Sequence, residues 1–230
     1  MIVRLAWNGS REDREPMAGE PMADKQGPTA RQTRAPGDRA RARIVEHAAR
    51  LATIEGLEGL SIGRLAEASG VAKSSVHALF GSKEALQLAT INAARENFIA
   101  EVVGPALAAT SPGRGRLLAL CEGYLSYVER RVFPGGCFFV AASAEVGAQP
   151  GRIHDEVARV QQQWRDLLLR EAHAAADKGE LRTGDEPAQL AFELGVILAG
   201  TDIVAILHDD PGAVSRGRAA VVSRLRGPAI

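Results

Sequence analysis

The stretch Ser61–Lys83, SIGRLAEASGVAKSSVHALFGSK, constrains this chain more than any other, because its caps and turn residues are spaced for two short helices that cross tightly. Ser61 is a good N-cap, able to accept from the free amides of a helix that begins at Ile62 and runs to about Ser69. Ile62, Leu65 and Ala66 share one face of it, and Ala66 is small where a second helix crossing steeply would strike a larger side chain. Gly70 can take the left-handed conformation that turns the chain within a few residues. Val71, Val76 and Leu79 then form the apolar side of a second helix, entered at Ala72, which leaves Lys73, Ser74, Ser75 and His77 facing outward. One cation and short hydroxyls suit a helix lying in the major groove of duplex DNA, where N-terminal residues reach base edges and phosphates. A helical hairpin with a solvated face would need only the Ala and the Gly. The full set of cap, small residue, turn and polar face points to a helix-turn-helix.

From about Arg41 to Leu88 the order ARIVEHAARLATIEGLEGLSIGRLAEASGVAKSSVHALFGSKEAL resembles the DNA-binding domain of the TetR family of bacterial transcriptional regulators. That family follows its first helix with a Gly-containing turn, a Ser/Thr-capped helix, a Gly-Val turn, a recognition helix ending in aromatic-x-x-Phe, and a Lys-Glu-x-Leu helix start. The resemblance implies an all-α protein: an N-terminal three-helix helix-turn-helix DNA-binding domain followed by a C-terminal α-helical ligand-binding and dimerisation domain. The candidate DNA contacts are Arg43, Ser61, Ala72, Lys73, Ser74, Ser75, His77 and Lys83. The family usually has Tyr at the position of His77, where it contacts phosphate. His keeps a ring and a donor but has shorter reach and a protonation that varies near neutral pH, and a half-exposed ring capping the core is the competing reading. In GSKEAL, Ser82 can cap a new helix whose first turn holds Lys83, where a cation opposes the helix dipole. The resemblance makes that lysine a clamp on the DNA backbone. Phe80 belongs to the core beneath.

The formal net charge is zero, so the chain is no general polycation; its positive charge gathers locally at Arg39, Arg41, Arg43, Lys73 and Lys83. Aromatics make up only 4% of a chain rich in Ala and Leu, which favours packed helices over sheets. The two cysteines, Cys121 and Cys137, lack metal-ligand spacing and read as buried small hydrophobes in a reducing compartment, with a redox-sensing pair as the alternative. MIVRLAWNGS is broken by Arg4 and is no export signal. Phe192 to Leu207 is short for a membrane span and carries Glu193 and Asp202. A cytoplasmic protein without membrane, metal or cofactor is expected.

Residues 1–38, rich in Pro, Gly, Arg and Glu, read as a disordered extension. It is a passive tail, a basic arm with Arg31, Arg34 and Arg39 that reaches the minor groove, or an extension upstream of a start at Met17 or Met22. Residues 39–98 form the DNA-binding unit and 99–230 the helical effector and dimer unit. A first helix from about Arg39 to Ile54 and a fourth from Ser82 to about Val103, stopped by Gly104 and Pro105, frame the motif. Downstream, helices are expected over about 114–132, over CFFVAASAEVG, from Ile153 to near Gly179, after Asp185 as cap with Pro187 in the first turn, and from about Pro211 to Leu225.

Two recognition helices must sit about one DNA turn apart to read a two-fold symmetric site, which requires a homodimer. The interface candidates are Leu194, Ile197, Leu198, Gly200, Ile203 and Val204, on a helix that is otherwise simply central in its own domain. An effector pocket among the middle helices has as candidates Tyr124, Tyr127, Phe138, Phe139, Glu145 and Trp164, with His154 beside them. Glu145, on an apolar helix, needs a hydrogen-bonding partner, a basic ligand or an exposed position. The resulting expectation is a sequence-specific repressor released from a palindromic operator by an unidentified small molecule, with double-stranded DNA and a second copy as partners. An activator of the same architecture and a helical adaptor without DNA binding are the alternatives. An enzyme built on Cys137 and His154 lacks an oxyanion arrangement, and no triad or phosphate loop appears.

Overall fold

The computed structural model describes residues 36–226, which are all-helical with no strand among them. In order they are α1 (Pro36–Glu55), α2 (Ile62–Ser69), α3 (Lys73–Phe80), α4 (Lys83–Phe98), a π-helical turn (Ile99–Val103), α5 (Gly104–Ala109), α6 (Arg114–Glu129), α7 (Phe138–Val146), α8 (Arg152–Asp177), α9 (Pro187–Leu207) and α10 (Ala213–Arg224). The expected N-terminal tail, with Arg31 and Arg34, lies outside the described residues except for Pro36–Asp38, which open α1.

Local chemistry sets the first boundaries. The Ser61 hydroxyl accepts from the Arg64 amide at 3.1 Å, and Gly70 ends α2 with φ of +66°. The Ser82 hydroxyl accepts from the Ala85 amide at 3.1 Å and starts α4. Leu65 and Val76, fully buried, fasten α2 and α3 to α1 and α4 through a core that includes Ile44, Ala48 and Leu86.

Gly104 and Pro105 do not stop α4 as expected. The Gly104 amide reaches back to the Ile99 carbonyl in a wide π turn, and the helical path continues through α5. Pro105 has no N–H to give to the preceding turn, and the widened turn accommodates that loss without ending the helix. Asp185 does not cap α9 either. Glu186 does, accepting from the Gln189 amide at 2.8 Å, while Asp185 pairs with Arg224 of α10 at 3.0 Å.

Helix α9 is the centre of the C-terminal half, packed on α6, α8 and α10. At 21 residues the helix Pro187–Leu207, which extends the stretch Phe192–Leu207, is long and apolar enough by length and composition alone to cross a membrane. One side of it is nevertheless sealed in the core by Leu190, Leu194, Leu198, Asp202 and Ala205. Helix α7 packs on α8 and also touches α1, so it borders both halves of the chain.

Candidate nucleic-acid interface and effector cavity

Helix α3 buries Val76 and Phe80 and leaves Ala72, Lys73, Ser74, Ser75 and His77 exposed. No carboxylate lies on α3 itself, so Lys73 meets no negative side chain on its own helix. Arg43 is exposed on α1, and the Arg41 guanidinium stands 5.1 Å over the Phe80 ring, a cation held at the edge of α3 by its quadrupole. The Ser61 hydroxyl is engaged in its cap and half-buried.

Lys83, the expected backbone clamp, is engaged within the protein. Its ammonium donates to the Glu58 carbonyl at 2.6 Å and to the Glu58 carboxylate at 3.0 Å. The bond from Lys83 holds the Glu58 carboxyl below its usual range. A phosphate would have to compete with these bonds. Gln87 fixes the same turn by donating to the Leu57 carbonyl at 2.9 Å.

Glu145 is the larger departure, because it lines neither of the two chambers found among the middle helices. It reaches from α7 to the α1–α2 turn and accepts from the Leu57 amide at 2.7 Å and the Glu58 amide at 2.5 Å. These amides follow the end of α1, where no intrahelical acceptor serves them. Gly56 makes room for the carboxylate: with φ of +83°, an added Cβ there would stand 3.1 Å from Glu145 Oε1. Beside it the Gly135 amide donates to the Thr53 hydroxyl at 3.2 Å, and Arg152 pairs with Glu84 at 2.6 Å. These bonds tie the end of α1, the turn after it and the start of α4 to the rest, and Arg95 and Asn97 add bonds to Gln163 and Tyr127 farther along α4.

Between α4, α6, α7, α8 and α9 lie two adjoining chambers of about 50 Å³ and about 420 Å³, which share Gln161, Trp164, Gly195 and Ala199. Tyr124, Phe139 and Trp164 line the inner one, and His154 and Trp164 the outer. Tyr127 and Phe138 line neither. The Tyr127 hydroxyl donates to Asn97 at 3.2 Å, and Phe138 is core between Phe133 and Phe139. Residue type alone did not reveal Phe98, at the end of α4, which meets Trp164 edge-to-face at 5.2 Å, nor Leu198, expected at the interface but facing the inner chamber.

Burial governs the ionisable groups around the inner chamber. It pushes the Cys137 thiol up to about 11 and Cys121 up to about 12, so both are thiols rather than thiolates at neutral pH. The two cysteines are unbridged. Burial also raises the Asp202 carboxyl to about 6, partly offset by the Cys137 amide, which donates to it at 3.0 Å. Among the described residues no group of three or more His, Cys, Asp or Glu converges as a metal site.

The interface candidates on α9 divide by side. Leu194 and Leu198 are buried in the protein's own core and cannot meet a partner. Ile197 and Val204 are partly buried, Gly200 is exposed, and Ile203 is 48% exposed. The outward stripe also includes Phe192, Val196 and Leu207, which the candidate set omitted. Their spacing of 4, 7 and 4 residues is that of one helical face.

A capped helix-turn-helix with a polar outer face, joined to a helical body with a cavity, defines a DNA-binding regulator. Residues 44–90 match the model of bacterial regulatory proteins of the tetR family, and residues 113–221 match that of the tetracyclin repressor-like C-terminal domain. The chain belongs to the TetR family of transcriptional regulators. Its fold is similar to a TetR transcriptional regulator from Chloroflexus aurantiacus J-10-FL, with a TM-score of 0.74 at 24% identity over 81% of this chain and 94% of that one. Reduced NemR from E. coli gives 0.71 at 21% identity, over 84% and 100%. AibR, solved in complex with isovaleryl coenzyme A and operator DNA, gives 0.65 at 20% identity over 81% and 99%. Comparison with curated protein sequences yields no match.

Proposed function

We propose that this regulator is a homodimeric repressor whose two α3 helices read a palindromic operator and whose cavity takes a small-molecule effector that releases it. In this reading residues 39–98 are the DNA-binding unit and 99–230 the effector and dimer unit. The single observation that carries the reading is the exposed set Ala72, Lys73, Ser74, Ser75 and His77 over a sealed Val76 and Phe80. Arg43 and the helix-start amides near Ser61 and Lys83 lie on the same unit and would add backbone contacts. Dimerisation is supported by the apolar outward stripe of α9, with exposed Ala219, Ala220 and Val222 of α10 beside it. AibR, similar in fold, has been solved with an acyl coenzyme A and operator DNA together, which fits a regulator of this architecture answering to a bound metabolite.

The route from cavity to DNA runs through α7. Phe139 and Val140 wall the inner chamber and Ser143 and Val146 the outer, while Glu145 of the same helix holds the Leu57 and Glu58 amides. A ligand that shifts α7 also shifts the α1–α2 turn, and with it the spacing of the paired α3 helices. The effector acts only through its differential affinity for the two states, so a near-complete switch requires a ratio of about 10⁴.

The test is footprinting on the DNA flanking the protein's own gene, with and without cell extract. A symmetric footprint that extract weakens supports the repressor. One that extract strengthens indicates an activator or a co-repressed form, and no footprint indicates a protein-only adaptor. In parallel, Glu145→Gln should cut the effector-induced loss of operator affinity by about fivefold while leaving ligand binding at Trp164 intact, since it puts a donor NH2 in place of one of the two oxygens that accept from the Leu57 and Glu58 amides.

A further inference from the structure

We propose that the two chambers take an amphiphilic organic monoanion carrying a neutral oxygen, hydroxyl or carbonyl, at its buried end. This rests on the effector-site reading above and specifies the chemistry of the ligand. Three observations carry it. The first is charge: neither chamber is lined by Asp or Glu, and the outer one contains Arg165, while His154 of the same lining is already paired with Asp155 at 3.0 Å. The Arg165 guanidinium donates to the neutral Gln162 carbonyl oxygen at 2.5 Å, and among the described residues no carboxylate pairs with it. Asp202, the buried carboxylate of α9, lies outside both linings, with Cys137 between it and the inner chamber. In the outer chamber an organic cation would stand beside Arg165 with no carboxylate in the lining, whereas an anion finds a counter-ion there; only at the aromatic inner end would ring faces attract a cation.

The second observation is the Tyr124 hydroxyl. Tyr124 is only 3% exposed and lines the inner chamber, yet its oxygen makes no hydrogen bond of good geometry; the Cys137 thiol beside it is a weak partner. A buried hydroxyl without a partner is costly, and a plain alkyl end would leave it so. A ligand oxygen arriving there removes the deficit. The third is shape. Phe98, Tyr124 and Trp164 make an aromatic cage around about 50 Å³, enough for the tip of a chain or ring, and the adjoining 420 Å³ holds the remainder. The ligand is therefore elongated, with a narrow oxygenated end inside and its charge outside.

The experiment uses the full chain with Trp7→Phe, which leaves Trp164 as the sole tryptophan and an emitter inside the cavity wall. Its fluorescence is titrated with 10-hydroxydecanoate, decanoate and decyltrimethylammonium below their micelle-forming concentrations. The expected order places 10-hydroxydecanoate about fivefold tighter than decanoate, and decanoate at least about tenfold tighter than the cation. Tyr124→Phe should abolish the preference for the hydroxylated chain and leave decanoate unchanged. Arg165→Gln, at an exposed position where folding is not at stake, should weaken both anions about fivefold. Equal or tighter binding of the cation, saturation by none of the three, or a hydroxyl preference that survives Tyr124→Phe overturns the proposal. Operator binding is followed in the same samples. A cation that binds and releases DNA leaves the effector reading standing without this ligand class; an anion that binds without releasing DNA does the opposite.

Discussion

Helices α3 and α9 each seal one side in the core and offer the other outward, but the outward sides are opposite in chemistry. On α3 the outer residues are Lys73, Ser74, Ser75 and His77; on α9 they are Phe192, Val196, Ile203 and Leu207, the last 73% exposed. A polar face can rest in water and needs no partner for stability, so its composition is free to answer to phosphates and base edges. A stripe of four large apolar side chains on one helix loses free energy in water; Phe192 and Val196 of it also border the outer chamber, and the proposed dimer would cover the remainder. In the proposed function the same chain would separate recognition of DNA from recognition of itself, and each face could be broken without touching the other.

The largest effect is expected from α9. Ile203→Glu places a charge in the middle of the apolar stripe without entering the core, and should turn the dimer into a folded monomer by light scattering. Operator affinity should then fall by more than about a hundredfold, because the two half-sites are no longer bound by one tethered pair. A variant that stays dimeric, or a monomer that binds the operator as tightly, breaks the contrast drawn between the faces.

Asp202 sits next to Ile203 on the opposite side of α9 and tests the core side of the same helix. Its carboxyl is raised to about 6 in the folded protein from an ordinary 3.8. A raised carboxyl binds its proton more tightly when folded, so its contribution is fully present below about pH 4 and is lost as pH rises through about 6. Asp202→Asn cannot ionise and keeps an oxygen for the Cys137 amide. It should therefore match the native chain at pH 4 and exceed it at pH 8 by on the order of 3 kcal/mol in urea unfolding. A variant destabilised at both pH values would mean that the carboxylate has a partner which the asparagine cannot replace.

How much of this was legible beforehand follows from how local each cause is. Ser61, Gly70 and Ser82 act within three or four residues, and their roles could be read directly from spacing. On α9 the apolar residues surround the helix, so periodicity points nowhere: Leu198 and Ile203 look alike in sequence, yet one faces a cavity and the other the outside. The partners of Glu145 lie 87 and 88 residues away along the chain, and that of Lys83 lies 25 away. No local signal announces such pairs. What the sequence did indicate for Glu145 was the need for one, since a carboxylate on a mostly apolar helix must be satisfied somewhere.

The two lysines at the DNA-facing end give the finest test. Lys73→Ala removes an exposed ammonium with no carboxylate bond among the described residues, and should lower operator affinity about tenfold while reducing the salt slope of binding by about one. Lys83→Ala removes an ammonium already bonded to the Glu58 carbonyl and carboxylate, so a phosphate contact at this position begins by breaking those bonds. Its net gain on DNA is smaller, and the expected loss is about threefold with a salt slope changed by less than one half. The Glu58 carboxyl, freed of Lys83, should return toward its ordinary range, a shift that NMR titration of the side chain can follow. If Lys83→Ala instead matches Lys73→Ala in both affinity and slope, the ammonium leaves Glu58 for the DNA on binding. The Glu58 pair would then be a resting contact of the free protein, and the α1–α2 turn that Glu145 holds would be looser on the operator than off it.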